Sequence, residues 1–394
     1  MAVRRFAPVL ILAAVILAIS LAAFLFVLQT VVPAQGNLFD FYPNWVGSRA
    51  VLAGESPYSA EVTRRIQLGS FGTAIPAGVD QFAFAHPAYS AFAVFPVVQF
   101  DAPVAIAIWM TIQLISMGLC VILWIHLFHW KPHPLALGLV FFLCLFVFRY
   151  PMNVFLLGQF TGTVLLGFTL AVWLASRKRD VAAGAALVLC MVPPTMGIGL
   201  AAALIIPLLL TGRWKVLAAW VVLMTFLTVL SFLAVGFWVP DWLAMLRMYT
   251  ELAFPVWPPS LLGSPLAGLI LAAAGVSLVA YDAVRLVRRA GPARIRDLGV
   301  SAALCVFFLF PATGNYYLVL VLPALVALLA SKSWAARILA LGIILSPWFF
   351  LANSDGSRTS FELLAVPLAA FIGWCWVRWL GKRAIRPAPL AQPE

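Results

Sequence analysis

Residues 8–42 read PVLILAAVILAISLAAFLFVLQTVVPAQGNLFDFY: more than twenty residues without a charge, then a single acid, Asp40, where the chain turns polar. Crossing the hydrocarbon of a bilayer takes about 20 apolar residues in a helix. The run is too long for the apolar part of a signal peptide, and no convincing small-residue cleavage site follows it, so it is expected to stay as a first span behind Arg4 and Arg5.

The same texture continues to the far end. Of 394 residues, 64% are hydrophobic and 10% charged, and mean hydropathy is +1.06. A soluble domain carries about 25% charged residues, so the apolar runs read as membrane spans. The fold class is therefore all-α: a polytopic transmembrane helix bundle forming one membrane-embedded domain over 1–394. The expected spans are 8–29, 103–129, 135–150, 161–176, 181–193, 195–211, 215–238, 265–285, 297–310, 316–330, 335–351 and 361–380, about 12 in all. Residues 87–100 are too short to cross and are expected to form a re-entrant or interfacial helix. Pro193-Pro194 should split residues 181–211 into two short helices of a hairpin.

The net charge of +12 belongs to this topology and not to nucleic acid, since the bases lie between apolar runs and no stacking motif accompanies them. With the N-terminus placed in the cytoplasm, 19 of the 25 Lys and Arg residues fall on the cytoplasmic side. Arg49, Arg64, Arg65, Arg149, Arg247 and Arg358 remain outside. Both termini, including a short basic tail at 381–394, are then cytoplasmic, in an inner (plasma) membrane. The outer side receives two long polar segments, 33–86 and about 239–262, and chemistry is expected there.

Asp40 lies where a carboxylate reaches both a lipid substrate and its polar head, and partial desolvation would make it a general base. After it, residues 42–53 form a loose apolar stripe with Arg49 on the other side, read as a helix in the interface plane ended by Gly54. A second short helix over about 59–68 would pair Glu61 with Arg65. Arg149 and Asn153 precede Gly158-Gln159 at the outer end of a span. The Arg fork suits phosphate, although snorkelling to lipid head groups is the plainer reading. His86 could bind phosphate, relay a proton or only cap a helix. Arg247 is a further outer cation.

Other features carry less. Cys120, Cys144, Cys190, Cys305 and Cys375 lie in apolar runs and read as buried thiols. His126, His129 and His133 have metal-like spacing but lack a nearby carboxylate or thiol. Asp282, one turn before Arg285, reads as a helix-end ion pair. No Walker A, GxGxxG, HExxH or GxSxG motif is present, so no cofactor or metal is expected.

Taken together, Asp40-Phe41-Tyr42 with Ala50-x-x-Ala53-Gly54-x-x-Pro57-Tyr58, Phe84-Ala85-His86-Pro87-Ala88 with Phe95-Pro96, Leu157-Gly158-Gln159, Arg177-Lys178-Arg179, Ala183-Gly184 and Gly212-Arg213-Trp214-Lys215 resemble glycosyltransferase family 87. The resemblance implies a GT-C-type fold and a polyprenyl-phosphate-linked sugar as donor, with mannose or a related hexose or pentose transferred to a lipid or glycan acceptor. It implies Asp40 as catalytic base. Two positions depart from the family pattern. A Lys before Pro in the hairpin is replaced in Met191-Val192-Pro193-Pro194, and a late His motif reads Phe310-Pro311-Ala312-Thr313-Gly314-Asn315-Tyr316-Tyr317. Phosphate and substrate contacts are therefore expected from Arg49, His86, Arg149, Asn153, Gln159, Arg247, Asn315 and Tyr316. An inverting displacement fits a single carboxylate. The competing class is a transporter or flippase of a lipid-linked sugar. Against it stand the lack of an internal repeat and of an acid in mid-span.

Overall fold

The structure, a computed structural model, describes residues 18–76, 78–253, 256–312, 314–352 and 361–383. Arg4, Arg5, the start of the first span, Thr313, Arg358 and residues 384–394 lie outside this set. The chain is all-α there, and an isolated bridge between Val256 and Ala312 is the only extended pairing among the described residues.

Six helices are long and apolar enough to cross a membrane: α1 (Ala18–Gln35), α4 (Ala102–Leu127), α10 (Lys215–Val235), α12 (Pro265–Arg288), α15 (Trp334–Ala352) and α16 (Glu362 to Arg383, with Glu362–Leu380 as its spanning part). A seventh candidate is broken. Here α5 (Pro134–Val147) and α6 (Arg149–Leu157) meet at a 60° bend. Shorter apolar helices are α7 (Thr161–Ser176), α8 (Asp180–Met191), α9 (Pro194–Leu210) and α14 (Asn315–Ala330). Six or seven helices thus meet the length that a crossing needs, against about twelve expected. The remaining expected spans correspond to the shorter helices α7, α8, α9 and α14 and to α13 (Pro292–Leu309), which among the described residues do not meet that test of length and apolarity.

Three polar helices sit at one end of the bundle: α2 (Phe41–Leu52), α3 (Ala60–Phe71) and α11 (Val239–Ala253). Ser59 caps α3, accepting from the Val62 amide at 3.2 Å. The segment after His86 holds only short turns, Ala88–Ser90 and Ala91–Val94, so it does not cross. One expectation about this end is corrected. Glu61 pairs with Arg64 at 3.1 Å, because Arg65 turns to Glu55 instead. Helix α2 packs most of its residues into the bundle, and exposed Arg49 folds back over the Trp45 ring at 4.8 Å.

Side-chain contacts sort the helix ends into two layers. At the Asp40 end, Trp45 donates to the Phe100 carbonyl, Trp242 to the Ala85 carbonyl and Trp257 to the Phe308 carbonyl. At the opposite end, Arg177 meets His126 at 2.6 Å, and Asp180 pairs with Arg213. Asp282, 1% exposed, is held by Arg378 and by the Ser301 hydroxyl at 2.6 Å. The helix-end ion pair expected between Asp282 and Arg285 is present at 3.5 Å, and Arg378 joins it from α16. The Asp180–Arg213 pair closes the base of the α8–α9 hairpin. Its tip is held by Tyr89, donating to the Met191 carbonyl at 2.9 Å, and by Thr195 and Tyr317, whose hydroxyls are 3.0 Å apart. The hairpin expected from Pro193-Pro194 is present.

Cys120, Cys144, Cys190 and Cys305 are buried, Cys375 is half-buried, and all are free. No cluster of metal-binding side chains occurs among the described residues.

Candidate active site

The site is assembled at the break between α6 and α7. Helix α6 ends at Gly158, which takes φ +68°. A Cβ there would lie 2.7 Å from the Cβ of Phe41. Only glycine allows this backbone to press against α2 at the residue after Asp40. Phe41 stacks on Trp109 at 5.1 Å, and Trp109 donates to the Gly158 carbonyl at 2.9 Å. An aromatic clamp therefore fixes the two segments. It sets Gln159 beside Asp40, and the Gln159 side-chain amide donates to the Asp40 carboxylate. Asn44 donates to the Asp40 backbone carbonyl at 2.8 Å, fixing the start of α2. Asp40 itself is half-buried, open enough to meet a substrate.

Phe160 continues the wall. It packs edge-on to Trp109 at 5.0 Å and to the His86 ring at 5.1 Å, and Phe84 flanks the other side of His86 at 6.2 Å. Desolvation between these rings pushes His86 down from 6.5 to about 4. The imidazole is neutral at physiological pH, so it can accept or donate a hydrogen bond but offers no cation to a phosphate. Its backbone carbonyl accepts from Tyr58 at 2.7 Å.

At the other end of α6 a second polar group forms around a residue that the sequence did not single out. Glu362, 3% exposed, opens α16. It accepts from the Tyr150 hydroxyl at 2.9 Å and from the Asn315 side-chain amide at 2.9 Å. The Asn315 Oδ1 in turn accepts from Asn153 at 3.0 Å. Arg149 begins α6 beside Tyr150 and is half-buried. The structure thus gathers Asp40, Gln159 and His86 at one end of α6, and Arg149, Asn153 and Asn315 at the other. Tyr316 is half-buried with its ring 4.8 Å from that of Tyr317. Arg49 and Arg247 are exposed and join neither group.

Comparison with known proteins adds one match. Residues 84–254 match the model of Glycosyltransferase family 87. Over that segment the chain is similar to glycosyltransferase family 87. That family consists of membrane glycosyltransferases, which take a sugar from a donor to an acceptor. The matched segment includes His86, Arg149, Asn153, Gln159 and Arg247. Asp40, Asn315, Tyr316 and Glu362 fall outside it. No curated protein and no solved structure matched the chain.

Proposed function

We propose that this protein acts as a family 87 glycosyltransferase and transfers a sugar, mannose or a related hexose or pentose, from a polyprenyl-phosphate donor to a hydroxyl of a lipid or glycan at the outer face of an inner membrane. The observation that carries the reading is the Asp40 carboxylate. It is oriented by Gln159 and clamped between α2 and α6 at the end of the first span. Asp40 takes the proton of the acceptor hydroxyl. The acceptor oxygen forms a bond to the anomeric carbon while the bond from that carbon to the phosphate oxygen breaks. The polyprenyl phosphate leaves with the electron pair and the anomeric centre inverts. A second carboxylate acting as nucleophile is not required.

Arg149 supports the donor phosphate in this reading, with its planar fork in place of the hairpin Lys. Gln159, Asn153, Asn315 and Tyr316 contribute neutral contacts, and His86 a neutral hydrogen-bonding wall. Arg49 and Arg247 stand at the rim, where lipid head groups reach them. The excess of Lys and Arg at the end opposite Asp40 supports an outer site and cytoplasmic termini.

Reconstitution of the purified chain with a panel of polyprenyl-phosphate sugars and labelled acceptors tests the reading. Asp40→Asn is expected to lower transfer by at least ~100-fold, the lower end of a general base's contribution. Near-normal turnover of that variant would remove Asp40 from the mechanism.

A further inference from the structure

The buried Glu362 lies outside the family match and has no part in the chemistry above, yet it ends a directed chain of hydrogen bonds. An ionised carboxylate only accepts. Asn315 must therefore turn its Nδ2 toward Glu362, as it does at 2.9 Å. That choice leaves its Oδ1 facing Asn153, and an oxygen there must meet an N–H, which Asn153 supplies at 3.0 Å. The direction of both amides follows from the charge at the end of the chain, independently of how nitrogen and oxygen are told apart in either group. Asn153 is left with its Oδ1, which accepts no hydrogen bond among the described residues, and one further N–H.

That pair of atoms suits a particular ligand. Phosphate oxygens accept and do not donate at neutral pH, so Oδ1 has nothing to offer them. Adjacent sugar hydroxyls both donate and accept, and an amide edge meets them with one bond of each kind. The position agrees. Arg149 and Asn153 are four residues apart on α6, on one face and separated by about 6 Å of axial rise. Gln159, bonded to Asp40, follows two residues beyond the helix end. Phosphate cation, sugar amide and base thus succeed one another along α6. An inverting displacement needs the same order of leaving group, sugar and acceptor.

We propose that Glu362, through Asn315, fixes Asn153 with its Oδ1 presented to a hydroxyl of the transferred sugar, so that Glu362 is a positioning residue for donor recognition. The inference rests on the donor reading given above and assigns the sugar subsite within it. Tyr150 bonds the same carboxylate but stands outside the amide chain. It supplies a control that separates orientation from simple structural support.

The test measures binding of farnesyl phosphate, bare or carrying mannose, glucose, galactose or arabinose, to the detergent-purified full chain by its shift in unfolding temperature. The wild-type chain is expected to bind one glycosylated lipid more tightly than bare farnesyl phosphate. Asn153→Ala and Glu362→Gln should lose this sugar-dependent excess, about tenfold in apparent Kd for one hydrogen bond, and keep the response to the bare lipid. Tyr150→Phe should keep both. Asn153→Ala carries the test alone if Glu362→Gln does not fold. Retention of the excess in Asn153→Ala overturns the inference and leaves the donor reading standing. So does an equal loss in Glu362→Gln and Tyr150→Phe, or loss of the bare-lipid response in Glu362→Gln. If no glycosylated lipid exceeds the bare one on the wild-type chain, the donor reading fails and takes this inference with it.

Discussion

Gln159 donates its side-chain amide to the carboxylate of Asp40, 119 residues earlier in the chain. The bond holds one carboxylate oxygen in place. Gln159→Leu removes the donor and keeps similar bulk. Transfer should fall by about tenfold, at the scale of one hydrogen bond lost from a desolvated site, and much less than in Asp40→Asn. Steady-state assays on both variants compare the two, and an unchanged rate in Gln159→Leu would remove the orienting role.

Arg149 and Arg64 are both bases of the Asp40 end, but Arg64 is tied to Glu61 on an exposed helix face. Arg149→Lys keeps charge and loses the bidentate fork. Donor KM should rise in Arg149→Lys and stay near the wild-type value in Arg64→Lys. Equal effects, or a larger one at Arg64, would place the phosphate on another wall of the site.

Helix existence was largely legible in the sequence, because uncharged runs of sufficient length admit few other structures. The hairpin at Pro193-Pro194 and the start of α2 after Asp40 were legible for the same local reasons. The break between α5 and α6 was not. Residues 135–150 look continuous, and the turn at Phe148, φ −70° and ψ 96°, is imposed by packing around the buried Phe148 and Tyr150 rings, 4.9 Å apart. Glu362 was missed because an acid at the start of a span looks like an ordinary end marker. Its partners Tyr150 and Asn315 come from 212 and 47 residues away, and no local signal joins them. Asp40 and Gln159 were each legible as polar residues at span ends, but their pairing was not.

Burial sets the sign of a pH effect at His86. Its folded value of about 4 lies below the ordinary 6.5, so between these values the unfolded chain holds a proton that the folded chain does not. Stability from this group is fully present above about pH 6.5 and is lost as pH falls towards 4. Unfolding temperatures recorded from pH 8 to pH 4 should decline across that window. His86→Gln, which has no titration there, should show a shallower decline. An identical profile in the variant would assign the effect to other groups.

Arg378 holds the buried Asp282 and packs over the Tyr281 and Trp374 rings at 5.5 and 5.4 Å. Arg378→Met keeps much of the volume and strands the acid, with Arg285 at 3.5 Å as a weaker partner. The cost should be about 3 kcal/mol, the low end for breaking a buried pair. Asp282→Asn in the same chain should recover most of it. Unfolding in mixed micelles of increasing SDS fraction measures both. A double variant no more stable than Arg378→Met would mean that the arginine acts through packing alone.

The same pair has a consequence for how the protein is made. Asp282 leaves the ribosome 96 residues before Arg378. Until α16 enters the membrane, the acid waits at the end of α12 without its main counter-charge. Glu362, which anchors Tyr150 and Asn315, arrives on that same last helix. Biogenesis therefore closes both faces of the protein in one late event.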